Sequence, residues 1–176
     1  MGCGTGANLP HLRERVEPDG RVIGVDITRP LLDRAAERVR EYDNVAVVQG
    51  DAARPPIEDA DAVLGTFVCG LFGDPATIVE DWCDLVGDGG RIALMDAAAT
   101  DDPLGWPLNP LFRAFVAAGA PSSGVADVLR APFGRFDAPL SRRVADARAA
   151  VADRAVDRRY ETFGLGFVGL LSGRVR

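Results

Sequence analysis

The sequence predicts a doubly wound α/β domain with a mostly parallel sheet, and three observations carry that prediction. Short β-branched runs alternate with amphipathic helical stretches across residues 21–96, with short connections. A glycine-rich turn, Gly2-Cys3-Gly4-Thr5-Gly6-Ala7-Asn8, stands directly before the first helical stripe. Asp26, Asp51 and Thr66 fall at the ends of successive apolar runs, where sheets of this kind bind their ligands.

In chain order, Leu9, Leu12 and Val16 have helical spacing, with Asn8 as the expected N-cap. Residues 21–26 form a short apolar strand ending in a carboxylate. Residues 29–42 predict an amphipathic helix that places Leu31, Leu32, Ala35, Ala36 and Val39 on one face, with Pro30 near its start. Residues 45–49 give a second strand, closed by Gly50-Asp51-Ala52, and residues 62–67 a third. Asp74 is the expected cap of the next helix, with Pro75 at its first position and Ile78, Val79, Trp82, Leu85 and Val86 as its buried stripe. Gly87-Asp88-Gly89-Gly90 ends that helix, and residues 91–95 form a fourth strand reaching Asp96.

Beyond Asp96 the pattern changes. Residues 100–140 are proline-rich, yet Leu108, Leu111, Phe112 and Phe115 follow an i, i+3, i+4, i+7 stripe. That stripe is read as a helix packed on the sheet or as a lid, within a helical insertion over residues 98–140. Residues 141–156 predict an alanine- and arginine-rich helix. Residues 160–175 predict one or two antiparallel strands broken by Gly164, Gly166 and Gly169.

A chain of 176 residues is one domain, able to bury roughly 70% of its unfolded surface. All 20 basic residues are arginine, Asp outnumbers Glu 19 to 7, and the net charge is −6. Salt adaptation of a halophilic source and GC-rich codon usage both account for this balance. An acidic surface argues against a nucleic-acid backbone as partner. The arginines at 142, 143, 148, 154, 158 and 159, interleaved with Asp146, Asp153 and Asp157, read as a solvated helix face. Three cysteines without C-x-x-C spacing argue against a disulfide scaffold or a zinc site. His11 is the only histidine, so no His-based triad or metal cluster is expected. No apolar run reaches the ~20 residues of a membrane span and no signal-like leader opens the sequence, so a cytoplasmic location is expected.

By itself the glycine turn is a plain strand-to-helix turn or a ligand cradle. Its spacing is G-x-G-x-G, whereas a dinucleotide fingerprint needs glycine where Ala7 stands. A dinucleotide or nucleotide-sugar enzyme is therefore disfavoured.

Gly2-Cys3-Gly4-Thr5-Gly6, Gly24-Val25-Asp26, Gly50-Asp51-Ala52 and Gly87-Asp88-Gly89-Gly90 before the fourth strand together resemble the class I S-adenosylmethionine-dependent methyltransferases. The likeness is greatest to the ubiquinone/menaquinone-biosynthesis-type enzymes, and it covers residues 1 to about 97. It implies a Rossmann-like fold with helices on both faces, S-adenosyl-L-methionine as cofactor, and methyl transfer to a small, apolar or aromatic acceptor. It also implies a cofactor site of Gly2, Cys3, Gly4, Thr5, Gly6, Asp26, Ile27, Asp51, Ala52 and Thr66. Asp26 would accept both ribose hydroxyls, and Asp51 with Ala52 would meet the adenine. No general base is implied, since in-line displacement draws on proximity. Asp96, Asp101 and Asp102 offer a weaker reading as ligands of a metal that orients a diol.

Two departures from the family pattern matter. The family's glycine turn follows a central strand ending in an acidic residue, whereas here only Met1 precedes Gly2. The expectation is that this strand is missing from the sheet and that Met1 is an internal methionine of a longer protein. The N/D-P-P-Y/F motif of base methyltransferases is absent, with Thr66-Phe67-Val68-Cys69 in its place. The alternative function is a non-catalytic or vestigial cofactor-binding domain.

Overall fold

A computed structural model describes residues 1–17, 19–119 and 137–176. In order these form α1 (Leu9–Arg13), β1 (Val22–Asp26), α2 (Arg29–Val39), β2 (Val45–Gln49), β3 (Ala62–Thr66), α3 (Pro75–Val86), β4 (Arg91–Ala97), α4 (Asn109–Gly119), α5 (Ala138–Arg154), β5 (Ala155–Phe163) and β6 (Val168–Val175). Short 3-10 turns at Cys69–Leu71 and Trp106–Leu108 precede α3 and α4.

The strands lie in two sheets rather than one. β1 pairs in parallel with β2, and a second sheet runs in the order β3-β4-β6-β5. β3 and β4 are parallel, whereas β6 is antiparallel to both β4 and β5. The parallel βαβ units and the antiparallel closing hairpin agree with the fold class expected from sequence. Among the described residues no strand lies between β1 and β3, the position expected to lack one. The opening loop spans that seam: the Met1 nitrogen donates to Leu64 O of β3 at 2.7 Å, and Cys3 N–H donates to Val25 O of β1 at 2.9 Å.

Each sheet has its own apolar cluster. Leu9, Val22, Ala35 and Val39 join α1 and α2 to the first sheet. Val79, Trp82 and Cys83 of α3 meet Ile92 and Leu94 of β4 and Ala147 and Val151 of α5 in the second. Trp82 is fully buried, lies edge-on to Phe72 at 5.8 Å, and donates its indole N–H to Ala52 O at 2.8 Å. A large ring with one polar handle is held this way at both ends.

Several local expectations hold. Asp74 caps α3 by accepting from Thr77 N–H, and Gly87 ends that helix at φ +69°. Others change. α2 stops at Val39, and Ala36 is exposed rather than part of the buried face. In α3, Cys83 takes a fully buried place, while Ile78, Leu85 and Val86 are only half-buried. β3 ends at Thr66 because Phe67 turns to φ +56°. α5 stops at Arg154, so Arg158 and Arg159 lie on β5 and not on a helix face. Gly169 sits inside β6 instead of breaking it. On α4, Phe112 packs on Phe167 at 5.3 Å between ring centres, but Leu111 and Phe115 are exposed. The helix thus rests on the hairpin by one residue of its stripe. The rest of the expected insertion, residues 120–136, lies outside the described residues.

Candidate functional site

The opening turn works because glycine tolerates backbone conformations that cost other residues. Gly2, Gly4 and Gly6 all have positive φ, and the three differ in surroundings. A side chain at Gly2 would strike Val68, and one at Gly6 would strike Ala35 and Leu9. At Gly4 nothing lies within 4 Å of the place a Cβ would occupy. Gly2 and Gly6 are therefore packed, whereas Gly4 presents bare backbone to an open face.

Asp26 fixes that backbone. Its carboxylate accepts from Gly4 N–H through Oδ2 and from Thr28 N–H through Oδ1, both at 2.8 Å, and the residue is only 9% exposed. A carboxylate offers about four acceptor positions, so two remain beside the loop. The Asp26 carbonyl in turn accepts from Gly50 N–H at 3.0 Å, which brings the next turn to the tip of β1. There Asp51 is exposed, with Oδ1 accepting from Ala53 N–H, and Ala52 is buried with its carbonyl held by Trp82.

The third strand tip joins through Asn8. The expected side-chain cap is not made; Asn8 instead donates from Nδ2 to Thr66 Oγ1 at 3.1 Å, across the seam. The turn enters the helix with no cap bond because the Asn8 backbone is already helical, at φ −85° and ψ −19°. Thr5 points its carbonyl at the Arg38 guanidinium, 3.0 Å away. The Cys3 thiol is half-buried, and burial and the nearby Asp26 push its pKa upward, so it stays a neutral lining group. Ile27 is exposed, and its carbonyl accepts from Gln49. The structure thus gathers the glycine loop, Asp26 and Thr66 by direct hydrogen bonds, and the Asp51–Ala52 turn through Gly50. Residue types alone gave no sign of the Asn8–Thr66 link or of the Trp82 anchor, since both depend on contacts distant in sequence.

Asp96, Asp101 and Asp102 do not converge. Asp96 is 1% exposed and faces Cys69, whose thiol and amide favour its charged form, while Asp102 Oδ1 accepts from the amides of Leu104 and Gly105. Burial nonetheless raises the Asp96 pKa, and Arg148 opposes that rise. Among the described residues no group of three His, Cys, Asp or Glu side chains is arranged to hold a metal. No helix among them is long and apolar enough to cross a membrane.

A parallel βαβ scaffold with a glycine loop, a strand-tip carboxylate and a following Asp-Ala turn defines the class I S-adenosylmethionine-dependent methyltransferases. The chain belongs to the methyltransferase domain family, whose model matches residues 1–90. It is 34% identical over 158 residues to nocamycin O-methyltransferase of Saccharothrix syringae, which spans 87% of this chain and 55% of that protein. To demethylmenaquinone methyltransferase of Staphylococcus aureus it is 28% identical over 116 residues, 65% of this chain and 48% of that one. The chain therefore spans about half the length of these curated relatives. Among solved structures, a methyltransferase from Aquifex aeolicus superposes with a TM-score of 0.61 at 16% identity, covering 99% of this chain and 79% of that one. That likeness speaks to fold.

Proposed function

We propose that this chain binds S-adenosyl-L-methionine at the opening loop and transfers its methyl group to a small-molecule acceptor. The observation that carries the reading is the Asp26 carboxylate, stapled to the Gly4 amide with acceptor positions to spare beside an open backbone face. The relatives' names, an O-methyltransferase and a demethylmenaquinone methyltransferase, support a small acceptor.

In this reading Gly2, Cys3, Gly4, Thr5 and Gly6 hold the methionine and ribose portion, and Asp26 accepts from ribose hydroxyls. Ile27 lies beside the ribose. Asp51 accepts from the adenine amine, Ala52 lines the ring, and Thr66 closes the site from β3. When bound, the cofactor supplies a methyl group activated on a sulfonium. The chain's part is to hold donor and acceptor in line, which can supply much of the acceleration of such displacements. Within the expected insertion over residues 98–140, α4 is the described helix that would cover the acceptor, supported by its exposed Leu111 and Phe115. A salt-adapted source and GC-rich codon usage each fit the lysine-free, acidic composition.

A second reading, binding without turnover, is favoured by the seam between the two sheets. Incubation with methyl-labelled S-adenosylmethionine and a panel of phenols and hydroxyquinones separates the two. The enzyme reading predicts label on an acceptor, and retention of all label despite cofactor binding would leave only the binding reading.

A further inference from the structure

A second cavity, of about 310 Å³, opens beyond the carboxyl end of β4 and is not used by the cofactor reading. Ala98 continues β4 and bonds to Phe167 O at 2.9 Å, so the cavity lies between that extension and the β5–β6 hairpin. Arg148 of α5, Tyr160 and Thr162 of β5, and Thr100 line it. The volume suits one substituted ring.

Its cation is held without an ion pair. Arg148 Nη1 donates to Tyr160 Oη at 3.2 Å, and its guanidinium lies 5.3 Å from the centre of that ring. Arg148 Nε is buried with no hydrogen-bond partner. None of the ion pairs among the described residues includes Arg148, whereas Arg113, Arg154 and Arg174 all have carboxylates. Asp96 lies near enough for Arg148 to oppose the rise in its pKa, but the two form no ion pair, and Asp96 Oδ2 has no hydrogen-bond partner.

The cavity is also built, because two glycines make its space. A Cβ at Gly169 would come within 2.6 Å of both Tyr160 Oη and Arg148 Nη2, and one at Gly166 would strike Thr100 Oγ1. Asp101 and Asp102 stand at the rim, Asp102 with one oxygen occupied by loop amides.

We infer that this cavity holds the methyl acceptor, and that Arg148, backed by Tyr160, recognises a carboxylate or enolate on it. The inference rests on the methyltransferase reading and narrows its acceptor to a small aromatic or conjugated acid. A planar guanidinium donates two parallel hydrogen bonds to such a group, which lysine or glutamine does not reproduce.

The test measures binding in three arms on the full chain saturated with S-adenosylhomocysteine. The probes are 4-hydroxybenzoate and 3-(4-hydroxyphenyl)propionate, each against its methyl ester, followed by calorimetry and by melting shift. The expected result is at least about tenfold tighter binding of the acids, in keeping with a charge-assisted hydrogen bond. Arg148→Gln should lose that preference, and Arg148→Lys should keep only part of it. Both variants should bind S-adenosylhomocysteine as the parent does, which shows that they are folded. Equal binding of acids and esters, no binding of any probe, or a preference that survives Arg148→Gln would overturn the inference. Failure of the parent to bind S-adenosylhomocysteine would instead strike the methyltransferase reading itself.

Discussion

Replacing Asp26 by asparagine perturbs the one side chain that ties the glycine loop to β1. Each carboxylate oxygen accepts one backbone N–H at 2.8 Å, from Gly4 and from Thr28. Asparagine retains one acceptor and turns its NH₂ toward the other donor. One buried amide then loses its partner and meets a like group, at a cost of about 1–3 kcal/mol. For a domain of this size a loss near 2 kcal/mol lowers the melting temperature by about 4–8 °C. With a urea m-value of about 2 kcal/mol/M, the midpoint falls by about 1 M. The assay is urea unfolding of parent and Asp26→Asn without ligand, followed by titration with S-adenosylhomocysteine. Asp26→Asn should be destabilised before any ligand is added and should bind at least about tenfold more weakly. An unchanged midpoint would mean that Asp26 does not hold the loop, and the reasoning would be refuted.

The loop glycines should separate folding from binding. Gly4→Ala meets open space but keeps φ at +53°, so it should cost only about 1 kcal/mol while obstructing the ligand face. Gly6→Ala would also collide with Ala35, and its melting temperature should fall further than that of Gly4→Ala. Trp82→Phe strips the partner from Ala52 O, so unfolding should become about 1–3 kcal/mol easier and affinity for S-adenosylhomocysteine should drop; unchanged affinity would separate Trp82 from the adenine turn. Asp96 supplies a pH signature. Its raised pKa means the folded chain binds the proton more tightly than the unfolded chain, so stability falls as pH rises from the ordinary carboxylate value through the raised one. Asp96→Asn should flatten that part of the profile, gaining on the parent as pH increases; melting curves from pH 4 to pH 8 that run parallel would contradict this.

The βαβ core was legible because its signals are local. Val45–Gln49 matched residue for residue, and Asp74-Pro75 with Gly87 bounded α3 through cap chemistry confined to a few residues. Helix α2 ended early because Tyr42, although it still packs on the same cluster, is reached through a turn in which its N–H bonds to Val39 O. Phe67 was read as strand because an aromatic favours β structure, and only tertiary contact shows its amide drawn to Met95 O at φ +56°. The candidate site was legible where a residue type has one strong use, as with glycines in a turn or a carboxylate at a strand tip. Arg148 was not, since sequence spacing placed it among solvated arginines. Its half-buried seat against Tyr160 depends on a strand that begins only after α5 ends.

The central claim is that the open backbone face at Gly4, with Asp26 and Asp51 beside it, forms one cofactor site. Isothermal titration of this chain with S-adenosylhomocysteine, run beside NADH at the same concentration, tests it most directly. The account predicts saturable one-to-one binding of S-adenosylhomocysteine, weakened in both Asp26→Asn and Asp51→Ala, and no heat from NADH. Absence of binding, or binding that both substitutions leave untouched, would contradict it.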